Sequence, residues 1–156
     1  MKKLVLLLAL GAALVGGWNS SGFKLPFVSA RAPLETATQA GADTQAQDDA
    51  LADAFRAQRS GVQVIGEGVV NAVLADDTQG SRHQRFVLRL ASGQTVLVSH
   101  NIDLAPRIAG LVKGATVGFS GVYEWNAKGG VVHWTHRDPA GRHTPGWLRH
   151  SGQTYQ

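Results

Sequence analysis

The spacing of apolar residues divides the chain into three regions. An unbroken apolar run from Leu4 to Val15 follows Lys2 and Lys3, an order typical of a signal sequence with a charged n-region and an apolar h-region. Residues 29–47 contain almost no large apolar side chain, as expected of a flexible linker. We therefore expect a signal peptide or membrane anchor over residues 1–28, a linker over 29–47 and one folded domain over 48–156.

The folded domain begins with a helical pattern and continues with strands. After Asp48, a helical spacing places Leu51, Ala54 and Phe55 on one face, and Gly61 follows as a stop signal. From Val62 the period becomes two, as in strands that bury one face. The pattern predicts a long first strand that begins at residue 62 and four further strands over residues 84–90, 95–99, 115–125 and 131–135.

Two interruptions of this pattern indicate the topology. Gly66 and Gly68 fall inside the first strand, where the chain can bend or bulge. Asp103 has the position of an N-cap for a helix that runs to about Leu111, between the third and fourth strands. After the fifth strand we expect a turn over residues 138–141 and a short polar tail that packs back on the domain.

The order of three strands, one helix and two strands resembles the oligonucleotide- and oligosaccharide-binding barrel, or OB-fold. The resemblance covers residues 60–136. It implies a mostly β fold, a small five-stranded OB-like Greek-key barrel with one inter-strand helix. An N-terminal hydrophobic export or anchor helix precedes this barrel in the predicted architecture.

Long strings of uncommon residues resemble an uncharacterised bacterial family of exported proteins. These strings are Ser81–Phe86 (SRHQRF), His100–Pro106 (HNIDLAP), Tyr123–Asn126 (YEWN) and His133–His143 (HWTHRDPAGRH). The family is a domain of unknown function, so the resemblance implies export and no particular activity.

The apolar N-terminal run leaves two fates open. From Leu4 to Trp18 it spans 15 residues, fewer than the about 20 of a membrane-spanning helix. Val28-Ser29-Ala30 has the small-x-small form of a cleavage site. A cleaved signal peptide and a retained inner-membrane anchor both place the domain in the periplasm or outside the cell, with the membrane as a partner through the N-terminal segment.

Charge and cysteine content restrict the chemistry. The formal charge is +4, but residues 1–31 hold four Lys or Arg and no acid, so the folded domain is only mildly basic, which permits an anionic partner. The chain has no cysteine. This excludes disulfide-linked partners, zinc–thiolate sites and a thiol nucleophile.

The six histidines all lie in the predicted domain or its tail. His133, His136, Asp138 and His143 have the residue types that bind zinc or another divalent metal ion. Side chains alternate along a strand, so His133 and His136 converge only if the strand twists or ends between them. The competing interpretation is a polar rim in which these rings bond to backbone or carboxylate groups.

Other residues are candidates for binding and catalysis. Phosphate-binding roles suit Arg82, Arg85 and Arg142, and Trp134 can stack on a base or a sugar. Acid–base roles suit His83, His100 and Asp103, although an N-cap role explains Asp103 equally. Tyr123 and Trp125 can join a stacking surface or fill the barrel core.

Three classes of function follow from these residues. The first is an exported or membrane-anchored binding module with a polar His/Arg/Asp site, whose ligand is anionic or is an oligonucleotide or oligosaccharide. The second is a metal-dependent hydrolase of the phosphodiesterase or nuclease type. The third is a structural envelope interaction protein without metal or ligand. Metal content and its dependence on His136 or His143 separate the second class from the others.

Overall fold

The computed structural model describes residues 46–47 and 49–156 of the chain. The predicted export segment and nearly all of the predicted linker lie outside these residues. In the described part, no helix is long and apolar enough to cross a membrane.

One helix and seven strands form the described domain. The helix, α1, covers residues 46–47 and 49–56. The strands are β1 (Val62–Val73), β2 (His83–Arg89), β3 (Thr95–Asn101), β4 (Thr116–Glu124), β5 (Val131–His133), β6 (Trp147–His150) and β7 (Gln153–Tyr155). The five strands predicted from the period of two are confirmed, with β5 two residues shorter than expected.

The first five strands close into a barrel because β1 is long enough to pair on both sides. Residues Val62–Val69 of β1 pair with β4 and residues Val69–Val73 pair with β2, both antiparallel. The remaining links are β2 with β3, β3 with β5 in parallel, and β5 with β4. The fold is therefore mostly β, a closed five-stranded barrel with one short helix.

The glycines of β1 make room for the barrel core rather than for a bulge. A Cβ atom at Gly66 would lie 2.7 Å from Cζ of Phe119, so the bare backbone lets that ring fill the barrel. The register shift between β1 and β2 lies between Val70 and Ala72. The irregularity in β1 therefore lies at Asn71, whereas Gly66 and Gly68 pair in regular register with β4.

Alternation along the strands builds a single apolar core. The inward side chains of β2 and β3, including Phe86, Leu88 and Val98, are fully buried, and Leu51 of α1 closes the same core. Tyr123 is also fully buried. The core-filling interpretation is therefore right for Tyr123, whose ring cannot stack on a ligand.

The helix predicted over residues 103–111 is wrong, because this segment consists of turns and loop. Its backbone groups bond elsewhere: the buried Gln84 side chain accepts from Ile108 N and donates to Ile108 O, each at 2.9 Å. Pro106 has no amide hydrogen to contribute to a helix. Asp103 consequently caps no helix.

The polar tail packs back on the barrel, as expected, and does so as two strands. β6 pairs antiparallel with β4, and β7 pairs with β6. Leu148 of β6 is fully buried in the core cluster. The tail is therefore part of the domain.

Candidate functional site

Strand β5 ends after His133 because the backbone of Trp134 adopts a left-handed conformation. Trp134 has a φ of 54°, a left-handed conformation that is uncommon for a bulky residue and costs about 1–2 kcal/mol. The alternation of side chains is broken at this point. The strand therefore ends between His133 and His136, which is the condition that the sequence analysis set for their side chains to lie on the same side.

Two glycines hold the backbone of residues 133–136 in this conformation. A Cβ atom at Gly121 of β4 would overlap the His133 carbonyl, and one at Gly146 would overlap the Trp134 carbonyl. Gly146 N also donates to His136 O at 2.9 Å. The close approach of three chain segments therefore positions the aromatic residues of this site.

The indole of Trp134 lies at the centre of three imidazoles. Its ring centroid is 4.2 Å from that of His143, 5.6 Å from that of His133 and 5.8 Å from that of His136. The rings of His136 and His143 meet edge to face with centroids 5.6 Å apart. We call His133, Trp134, His136, Asp138 and His143 the Trp134 cluster.

His133 faces a carboxylate that the sequence analysis did not select. Its Nε2 lies 3.6 Å from Glu124 Oε1 at the end of β4, and this nitrogen is buried without a hydrogen-bond partner among the described residues. Burial lowers the pKa of His133; Glu124 opposes this shift, and positive charge on His143 or His83 reinforces it. Pairing β4 with β5 as a hairpin in the sequence analysis would have placed Glu124 near His133 and so indicated it as a candidate site residue.

Asp138 begins the predicted turn and is held by it. Gly141 N donates to Asp138 O at 3.1 Å, while the Ala140 and Arg142 amides donate to the two carboxylate oxygens. Burial raises the pKa of Asp138, but those amides and the charges of His143 and Arg142 outweigh it, so the pKa is lowered. The turn is confirmed and keeps this buried carboxyl ionised.

The His143 ring is oriented by its neighbour along the chain. His143 Nδ1 lies 2.9 Å from Thr144 O, and because a carbonyl only accepts, this nitrogen carries the hydrogen. His143 Nε2 lies 3.8 Å from Asp138 Oδ2 and is buried without a hydrogen-bond partner in the described part of the chain.

The four predicted metal ligands do not form one group. In residues 46–47 and 49–156, no three His, Cys, Asp or Glu side chains are arranged to hold a single metal ion. Asp138 faces His143, His133 faces Glu124, and His136 Nδ1 donates to Arg137 O at 2.6 Å.

Comparison with protein families identifies the chain. A family model with the description "Protein of unknown function (DUF3465)" matches residues 35–156. The chain belongs to the DUF3465 family. A search of curated proteins found no match. The match covers the barrel, the Trp134 cluster and the tail, and it confirms the resemblance to a domain-of-unknown-function family.

His100 of this DUF3465 chain has a structural position. The ring is fully buried, Nε2 donates to Pro106 O at 3.1 Å, and Nδ1 lies 2.8 Å from Thr135 Oγ1. Burial, reinforced by positive charge on His136 or His83, lowers its pKa to about 4, although the Pro106 hydrogen bond opposes the shift. The structure thus encloses this predicted catalytic candidate in a neutral form.

Asp103 and Arg82 pair with each other at the surface. The Arg82 backbone N and Nε donate to the two carboxylate oxygens of Asp103, each at 2.7 Å. These two bonds lower the pKa of Asp103. His83, the first residue of β2, donates from Nδ1 to Ser81 O at 2.7 Å. His83 pairs with Asn101 across β2 and β3, and the Asn101 side chain accepts from Asp103 N at 2.9 Å, so His83 and the Arg82–Asp103 pair lie at the same end of the DUF3465 barrel.

The outer face of β2 carries two arginines without an acidic partner. Arg85 and Arg89 point away from the core, and neither forms an ion pair with a carboxylate among the described residues. Arg85 Nε donates to Ala75 O at 3.1 Å. Arg142, by contrast, lies 3.7 Å from Asp138 Oδ2 with its side chain mostly exposed. Arg89, which was not among the predicted ligand-binding residues, therefore gives the outer face of β2 a second arginine.

Proposed function

We propose that this chain is an exported binding module of the OB type. The barrel order β1-β2-β3-β5-β4 closes through β1, and β3 runs parallel to β5. This connectivity supports the OB assignment even though the helix between β3 and β4 is replaced by turns. OB barrels bind oligonucleotides and oligosaccharides on the face of strands 2 and 3.

The observation that carries the proposal is the outer face of β2, β3 and β5. Arg85 pairs with Ser99 across β2 and β3. Val98 pairs with Val132 in the parallel β3–β5 ladder, so continuing that register by one residue puts Ser99 beside His133. Arg85, which has no carboxylate partner among the described residues, therefore forms one row with Ser99 and His133, and this row leads to Trp134.

The charge of this face favours an anionic polymer over a neutral sugar. Arg85 and Arg89 have no described carboxylate to neutralise them, and Trp134 is only partly buried. Arginines that follow a phosphate backbone beside a stacking aromatic ring are the usual means of binding single-stranded nucleic acid. Single-stranded nucleic acid is therefore the ligand class we assign to the face.

The cellular location rests on the sequence. Lys2 and Lys3 before the apolar run support export, and a retained segment would keep the domain near the inner membrane. We infer a periplasmic or extracellular domain that meets its ligand outside the cytoplasm.

The test is binding of a fluorescently labelled single-stranded oligonucleotide of mixed sequence to the full chain in mild detergent. We expect Arg85→Gln with Arg89→Gln to weaken binding at least about tenfold. The dependence of log K on log salt should also flatten by roughly 1.4, because each phosphate that the protein no longer neutralises changes this slope by about 0.7.

Arg56→Gln with Arg59→Gln is the matched control, because it removes the same charge near the end of α1. If both double variants weakened oligonucleotide binding equally, the effect would come from net charge alone. That result would contradict binding at the outer face of β2, β3 and β5. Tight binding of an oligosaccharide panel instead of the oligonucleotide would contradict the assigned ligand class.

A further inference from the structure

The Trp134 cluster contains an arrangement that an anionic ligand does not explain. Within the described residues, the buried side-chain nitrogens and oxygens that lack a hydrogen-bond partner are His133 Nε2 and His143 Nε2. Both belong to this cluster, and each faces a carboxylate, Glu124 and Asp138 respectively. Buried unsatisfied groups are rare enough that each requires a physical cause, such as a bound ion or water.

The His143 contact is the clearer of the two because the other ring nitrogen already has a partner. With Nδ1 directed to Thr144 O, Nε2 is the ring atom left to bind a ligand. It is buried without a hydrogen-bond partner and faces Asp138 Oδ2. A metal ion between the two atoms would give both of them a partner.

The separation of these atoms suits a metal ion. At 3.8 Å, Nε2 and Oδ2 are too far apart for a direct hydrogen bond. A metal–nitrogen and a metal–oxygen bond of about 2.0–2.2 Å each span such a gap. Both groups are also oriented by further contacts: Nδ1 of His143 by Thr144 O, and the carboxylate by the Ala140 and Arg142 amides, as in the outer shell of metal sites.

We infer that His143 Nε2 and Asp138 Oδ2 bind one divalent transition-metal ion of the zinc class. An imidazole with a carboxylate and no thiolate suits Zn²⁺, Co²⁺ or Cu²⁺ rather than Ca²⁺ or Mg²⁺. No third His, Asp or Glu of the described part joins this pair as a ligand group, so water or a bound anion supplies the remaining ligands.

The experiment is a Zn²⁺ titration of the untagged full chain in mild detergent, against a chromophoric chelator. It contains no nucleic acid, so its outcome is independent of the proposed ligand binding. We expect one equivalent of Zn²⁺, with affinity at least about tenfold lower in His143→Gln and in Asp138→Asn. Asparagine can keep accepting from the turn amides, and circular dichroism checks that both variants fold.

His150→Gln is the matched control. His150 Nδ1 also donates to a backbone carbonyl, Thr116 O at 2.9 Å, but its Nε2 already lies 3.2 Å from Ser151 Oγ. This variant should bind Zn²⁺ as the wild type does. A folded wild type that binds no Zn²⁺ overturns the inference, and so does affinity that survives His143→Gln or that is lost on His133→Gln instead.

Discussion

A single buried imidazole joins three separate parts of the domain. His100 lies near the end of β3, and its two ring nitrogens contact Pro106 in the loop before β4 and Thr135 after β5. The neutral ring satisfies both contacts, because Nε2 donates to the carbonyl and Nδ1 accepts from the hydroxyl. Protonation of this buried ring is unfavourable, which explains the lowered pKa.

The pH dependence of folding follows from that shift. His100 has a pKa of about 4 in the folded state and 6.5 as the reference value, so the unfolded chain binds the proton more readily. Its contribution to the free energy of unfolding is complete above about pH 6.5 and declines as the pH falls towards about 4. Between about pH 6.5 and pH 4.5 the loss is roughly 2–3 kcal/mol.

Urea unfolding of the wild type and His100→Gln at about pH 7 and pH 4.5 measures this effect. Glutamine can donate to Pro106 O without titrating, so the variant should show a smaller loss of stability at acid pH. Part of the decline should remain, since the pKa of His133 is lowered too. An unchanged pH slope in His100→Gln would contradict the assignment.

At the scale of elements, the loop before β4 shows why a helix pattern was overridden. Gln84 is buried on β2, and its amide satisfies both backbone groups of Ile108. These bonds replace those that a helix over residues 103–111 would have formed. The buried Ile108 side chain then enters the core from a loop.

Replacing Gln84 tests this account of the loop. Gln84→Leu keeps the size of the side chain but leaves the Ile108 amide and carbonyl without partners, which we expect to cost about 2–4 kcal/mol of unfolding free energy. Denaturant unfolding measures the cost, and hydrogen exchange should accelerate over residues 102–111.

The exposed Gln79→Leu serves as its control and should change stability by less than about 0.5 kcal/mol. A Gln84→Leu variant as stable as this control would show that the loop is held by other contacts.

At the scale of the whole molecule, the tail completes the domain. The barrel closes through β1 and β4, and β6 then extends the sheet from β4. Leu148 of β6 is fully buried among core residues that include Phe119. The last ten residues thus contribute side chains to the same hydrophobic core as the barrel.

Two leucines with opposite environments test the role of the tail. Leu148→Ala should lower the free energy of unfolding by about 2–5 kcal/mol, because it leaves a cavity in the core. Leu104 is 49% exposed, and Leu104→Ala should change stability by less than about 0.5 kcal/mol. Thermal unfolding compares the two, and similar melting temperatures would mean that β6 is not integral to the fold.

The sequence predicted most residues of the candidate site, but it did not predict how their side chains are arranged. The strings that contain His83, Arg85, Trp134 and His143 do lie on or beside the barrel strands. Of the four proposed metal ligands, however, only Asp138 and His143 face each other, and His100 is enclosed. Glu124 and Arg89 were absent from the predicted set because their roles depend on which strands become neighbours. The hydrolase and envelope-interaction hypotheses stay predictions.

The sequence by itself determined the features that depend on nearby residues. The period of two marked the strands, the helical spacing marked α1, and Asp138 with Gly141 marked the turn, because alternation and turn chemistry act over a few residues. Tertiary structure decided what depends on distant residues: Gln84 against Ile108 prevented the predicted helix, Gly146 against Trp134 fixed the end of β5, and strand pairing brought Glu124 to His133. Those contacts join residues far apart in the chain, so no local pattern encodes them.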